Sequence, residues 1–176
     1  MATEYLKSSY LAGLDATPIV MPTTGEGAQG FLRSVSGTVT ATTGELLGST
    51  YQLVRFPTNS VIRHVYIGLD ATVSTFTADI GLYYSTSTND GTSAANRGLP
   101  VNSTTGSQLF GAGVSALNTI GDVDYANAMG GAKRNMPIWQ AAGLTKDPGG
   151  NFDLVLTTTA TNSGAPVISA EVQFVI

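Results

Sequence analysis

His64 is the only histidine in this chain of 176 residues, so any Ser-His-Asp hydrolysis would have to run through it. It stands between Arg63 and Val65 in an alternating run, and no G-x-S-x-G elbow accompanies it, so a satisfied strand residue is the plainer reading. One histidine and no cysteine leave a transition metal with too few good ligands. Asp122-Val-Asp124-Tyr-Ala-Asn127 puts oxygen ligands at loop spacing for Ca²⁺, but the glycine and terminal Glu of an EF-hand are missing and Lys133 stands at its twelfth position. Loop capping by Asp and Asn explains the same residues. Gly25-Glu-Gly27-Ala-Gln-Gly30 spells the dinucleotide-binding fingerprint, yet Met21-Pro22-Thr23-Thr24 precedes it where the mechanism needs a strand, and no helix pattern follows. Asp70, Asp79 and Glu171 would make a glycosidase pair only if the fold gathered them. Tyr83, Tyr84, Tyr125 and Trp139 would serve a carbohydrate site only by lining one groove. The expectation is a protein without catalytic residues, cofactor or metal.

The elements that carry these residues are strands. Val61, Arg63, Val65, Ile67 and Leu69 fall on one face of an alternating run, and Ile62, His64, Tyr66 and Asp70 on the other. After a polar gap, Phe76, Ala78, Ile80, Leu82 and Tyr84 share a face opposed by Thr77, Asp79 and Gly81. With Tyr51 to Phe56 before them, these are antiparallel strands with one buried side each, and such a sheet needs a second apolar layer to cover it.

The rest of the chain supplies that layer. Phe31 to Thr42 alternates weakly through Val35, Val39 and Ala41, and Gly44 to Gly48 turns the chain back. Residues 85–98 carry Asn89-Asp90-Gly91 and almost nothing apolar, so they read as a long exposed loop. Between Leu99 and Leu144, glycines interrupt short apolar pieces at Gln108-Leu109-Phe110 and Ile138-Trp139-Gln140, with a helical turn expected over 114–117 and Trp139 at the core edge. Lys146-Asp147-Pro148-Gly149-Gly150-Asn151 is turn chemistry that launches Phe152, Leu154 and Leu156. Ile168, Ala170, Val172, Phe174 and Ile176 close the chain in a well-patterned strand.

This gives an all-β antiparallel sandwich over 31–176, a jelly roll by first choice and an immunoglobulin-like sandwich by second. An N-terminal arm over 1–30 precedes it. Pro18, Pro22 and the glycines break its pattern, while Leu6, Tyr10, Leu11, Leu14, Ile19, Val20 and Met21 favour docking on the chain's own sheet or a neighbour over a loose tail.

Composition narrows the partners. The charged fraction is 11% against a usual quarter, with an ordinary hydrophobic fraction of 42%, so Thr, Ser, Gly and Asn have replaced charge. A net charge of −4, with Lys133-Arg134 the only adjacent basic pair, argues against binding nucleic acid. Without cysteine there are no disulfide staples. The opening Met-Ala-Thr-Glu-Tyr-Leu-Lys-Ser-Ser lacks a secretory pattern, and no run reaches the ~18 apolar residues of a membrane helix, so a soluble protein with no membrane partner is expected.

Leu53 to Pro57, Val61 to Asp70, Ala78 to Tyr84, Asn89-Asp-Gly91 and Leu144 to Leu156, taken in order, resemble the head decoration, or cement, proteins of tailed bacteriophages. The likeness runs through most of residues 49–176 and implies a jelly roll on the outer capsid surface of a virion, made in the host cytoplasm. It implies partners too, namely the major capsid protein and further copies of the chain as a trimer or dimer. Bridging capsid proteins against the pressure of packaged DNA would be its function. Tyr5, Leu6, Tyr10, Leu14 and Ile19 of the arm would then be the interface anchors. A tail or adhesion module binding carbohydrate is the alternative.

Overall fold

Strands dominate because the chain alternates apolar and polar residues over runs of seven to nine, long enough to cross a sheet. The computed structural model describes residues 31–44, 46–73, 75–115, 121–161 and 163–176. The proposed arm, the glycine fingerprint at 25–30, and Tyr5, Leu6, Tyr10, Leu14 and Ile19 lie outside them.

Eight strands follow in order: β1 (Arg33–Thr40), β2 (Thr50–Pro57), β3 (Val61–Leu69), β4 (Ala78–Tyr84), β5 (Gly111–Val114), β6 (Gly121–Asp124), β7 (Asn151–Thr158) and β8 (Val167–Val175). They form two four-stranded antiparallel sheets, ordered β1-β8-β3-β6 and β2-β7-β4-β5. Within these orders β1 meets β8, β2 meets β7, β3 meets β6 and β4 meets β5. That is one long hairpin whose rungs are nested, rolled until β8 reaches β3 and β7 reaches β4, which is the jelly-roll winding.

The roll buries the apolar faces against each other. Phe56, Phe76, Phe110, Phe152, Ile67, Ile80, Leu82, Leu154, Leu156 and Ile168 are all buried in one continuous core. The faces of β4, β7 and β8 are those that the alternation predicts, and Trp139 packs half-buried against the core edge. In β3 the alternation changes phase. Ile62 opposes Phe174 and His64 opposes Gln173, so a β-bulge leaves Arg63 as an extra residue. Ile62 thereby turns into the core at 1% exposure and Arg63 turns out of it, the reverse of the expected faces. Val114, expected in a helical turn, ends β5 instead.

Short helical pieces tie down one end of the roll. Helix α1 (Ser103–Ser107) packs so closely on β4 that a Cβ on Gly81 would collide with the Ser107 backbone and the Gly106 carbonyl. Helix α2 (Ile138–Ala141) is held through its first backbone amides: Ile138 N–H donates to the Ser60 carbonyl at 2.7 Å and Trp139 N–H to the Thr58 carbonyl at 3.3 Å. The 85–98 loop is anchored rather than loose, since Asp90 accepts from Thr92 N–H and from the Asn151 side chain.

Candidate functional site

The outward face of β1-β8-β3-β6 carries most of the polar residues with chemical potential. The register sets Ser36, Glu171, Tyr66 and Asp124 in one row across the four strands, and Thr38, Ser169, Gly68 and Asp122 in the next. A trough of about 680 Å³ runs over these rows, lined by Ser36, Thr38, Tyr66, Asp122, Ser169 and Glu171. The missing side chain of Gly68 makes room in it, because the Asp122 carboxylate lies where a Cβ on Gly68 would be. Ser34 Oγ and Gln173 Nε2 both donate to Glu171 Oε1, at 2.7 and 2.9 Å, and hold that carboxyl below its usual pKa.

His64 stands beside the trough with its ring stacked on Tyr66, centroids 5.4 Å apart. Its Nδ1 lies 2.8 Å from Asp124 Oδ2. The other carboxylate oxygen of Asp124 accepts from Val65 N–H at 3.0 Å and from Ala126 N–H at 2.9 Å, the second bond capping the 3₁₀ turn Tyr125–Met129. Burial would raise the Asp124 pKa, but these backbone donors and His64 outweigh it and hold the acid below its ordinary value. The pair therefore supplies an oriented imidazole, the His-carboxylate half of a triad. No hydroxyl bonds to His64 Nε2 among the described residues.

The other chemistry-bearing residues are dispersed. Asp124 has both oxygens engaged in hydrogen bonds and caps the 3₁₀ turn, while Asp122 folds over Gly68. Among the described residues no three His, Asp or Glu side chains gather as metal ligands would. Asp70 accepts from Val167 N–H, and Asp79 belongs to the opposite sheet, where Gln108 and Gly113 N–H bond to it, so neither pairs with Glu171. The four aromatics line no common groove. Tyr125 is buried, Tyr84 sits edge-on to Phe152, the Tyr83 hydroxyl meets Thr157 and Trp139 packs on the core.

A second site escapes sequence reasoning altogether. Every lysine and arginine among the described residues lies at or towards one end of the roll, where β2 runs into β3, β4 into β5, and β6 into β7. Arg33 and Arg63 stand at strand starts, Arg55 near the end of β2, Arg97 after β4, and Lys133, Arg134 and Lys146 between β6 and β7. Asp70, Asp79 and Asp122 occupy the other end. At the basic end, Arg63, His64, Gly131, Arg134 and Asn135 line a cleft of about 390 Å³. Arg134 Nη2 donates to the Arg63 carbonyl at 3.1 Å, and Arg63 Nη1 to Asn135 Oδ1 at 3.0 Å. Burial, and then the charge of Arg134, lower the Arg63 pKa. Neither guanidinium is paired with a carboxylate among the described residues.

No protein-family model matches the chain, and no curated protein matches its sequence. Among solved structures, a chain of the cyanophage Pam1 capsid asymmetric unit aligns at 11% identity and TM-score 0.51, covering 92% of this chain and 96% of that one. A chain from the capsid of Ralstonia phage GP4 aligns at 13% identity and TM-score 0.54, covering 88% and 90%. The similarity is one of fold: this chain is a β-sandwich of the kind present in both phage capsids.

Proposed function

We propose that this chain is a structural virion protein that binds the outer surface of a bacteriophage capsid and stabilises it by bridging major capsid proteins. The observation that supports the reading is the fold likeness, along nearly the full length of each partner, to chains from two phage capsids. In this reading residues 1–30 form an arm beside a sandwich over 31–176. Tyr5, Leu6, Tyr10, Leu14 and Ile19 supply apolar anchors to the capsid, and copies associate as trimers or dimers. The sparse surface charge lets many copies sit together with little mutual repulsion. Light scattering on the purified chain, followed by co-sedimentation with capsids that lack it, tests the proposal. Pelleting at a fixed ratio to the major capsid protein is the expected result, and a chain that stays in the supernatant overturns it.

The trough favours one second reading, a glycan-binding module. An aromatic ring beside carboxylates and hydroxyls is sugar-recognition chemistry, and Tyr66, Asp122, Glu171, Ser36, Thr38 and Ser169 provide it. Glycan binding abolished by Tyr66→Ala would support this reading, and a wild-type chain that binds no glycan would remove it.

A further inference from the structure

We propose that the cleft of Arg63, His64 and Arg134 is a docking site for carboxylate side chains on an acidic protein surface. Two guanidinium groups converge there without a carboxylate partner among the described residues, and the like charge of Arg134 already works against Arg63. An incoming Asp or Glu would relieve that repulsion and could take two parallel N–H···O bonds from a guanidinium, the strongest geometry available to this pair of groups. Asp124, the acid bonded to His64, spends its oxygens on two backbone amides and the imidazole and forms no ion pair with either guanidinium.

The distribution of charge favours an acidic protein over nucleic acid. A duplex needs a continuous basic track, whereas Asp90, Asp147 and Asp153 interrupt this end and Asp153 already engages Arg55. What remains is a compact cationic spot, sized for side chains. Gly131 leaves its mouth open, since a Cβ built there meets nothing within 4 Å. The gathering of every described lysine and arginine towards this end would also orient an approaching acidic partner, at long range and low salt. The inference stands on charge and geometry and holds whichever assembly the chain joins.

The test is retention of the full-length chain on immobilised poly-glutamate as salt is raised. Wild type is expected to be retained although its net charge is −4. Arg63→Gln/Arg134→Gln should weaken retention at least tenfold. Ala71→Glu/Thr72→Glu, which makes the same change in net charge at the opposite end, should leave it within about twofold. Gly131→Glu guards against misfolding of the arginine variant. It places a carboxylate in the open mouth of the cleft, where it should compete with the polymer and abolish retention without lowering the unfolding temperature. The proposal is overturned if wild type passes through unretained, or if the opposite-end variant loses as much as the arginine variant. It is overturned equally if duplex DNA is held more tightly than poly-glutamate, or if the arginines prove instead to drive self-association without any acidic polymer.

Discussion

Arg55 and Asp153 face each other across the β2–β7 pair in a two-pronged fork, Nε to Oδ1 at 2.6 Å and Nη2 to Oδ2 at 2.8 Å. Asp153 is 3% exposed while the arginine side chain is 38% exposed, so the pair holds a buried carboxylate from one wet side. Removing the arginine strands that carboxylate. Arg55→Ala should cost about 2 kcal/mol in urea unfolding, below the range for fully buried pairs because water reaches the arginine. Arg55→Met/Asp153→Leu should cost less than Arg55→Ala alone. A double variant worse than the single one would contradict this account.

Acid should loosen the fold through Asp124. Its folded pKa lies below the ordinary value, so the stability it contributes is fully present above an unfolded pKa of about 4 and disappears as pH falls through the depressed folded value. Asp90 acts in the same direction, because Ser85, Thr92 and Asn151 donate to it. Urea midpoints between pH 6 and pH 2 should fall most steeply below about pH 4. Asp124→Asn should flatten part of that slope, and an unchanged slope would show that the capping bonds carry no linkage.

Two strand glycines should respond differently to a methyl group. At Gly81 the added Cβ meets backbone of α1, which cannot move without unseating the helix. At Gly68 it meets first the end of the Asp122 side chain, which can swing aside. Gly81→Ala should therefore destabilise by about 2 kcal/mol or more and Gly68→Ala by clearly less, measured by thermal unfolding.

Deleting residues 1–20 separates the proposed arm from the sandwich. Capsid co-sedimentation should drop at least tenfold while the thermal transition of the shortened chain stays cooperative. Unchanged pelleting would remove the arm from the proposed interface.

The long strands were legible because a half-buried sheet forces a period of two, which β8 keeps almost throughout and β4 and β7 keep in the spacing of their core residues, Ala78, Ile80 and Leu82 and Phe152, Leu154 and Leu156. β3 did not, because one bulged residue at Arg63 reverses every face before it, and nothing in Val61-Ile62-Arg63-His64 marks the insertion. β5 and β6 are four residues each and glycine-rich, too short to show a period. The sites were hidden for a different reason. His64 and Asp124 lie 60 residues apart, and Arg134 reaches the Arg63 carbonyl across 71, so only the winding of the roll brings them together. Lys133-Arg134 alone was a pair; the bulge that turns Arg63 outward is what makes it a cationic cleft.

The outermost rung of the nested hairpin has a mechanical consequence. β1 enters and β8 leaves at the same end of one sheet, with Arg33 opposite Phe174. Antiparallel hydrogen bonds lie across the strands, so tension applied between Arg33 and Phe174 would load the rungs singly and peel β1 away from β8. Force applied along opposite ends of the roll would instead shear many rungs at once. The sandwich is weak when pulled by its ends and strong when gripped through its faces and loops.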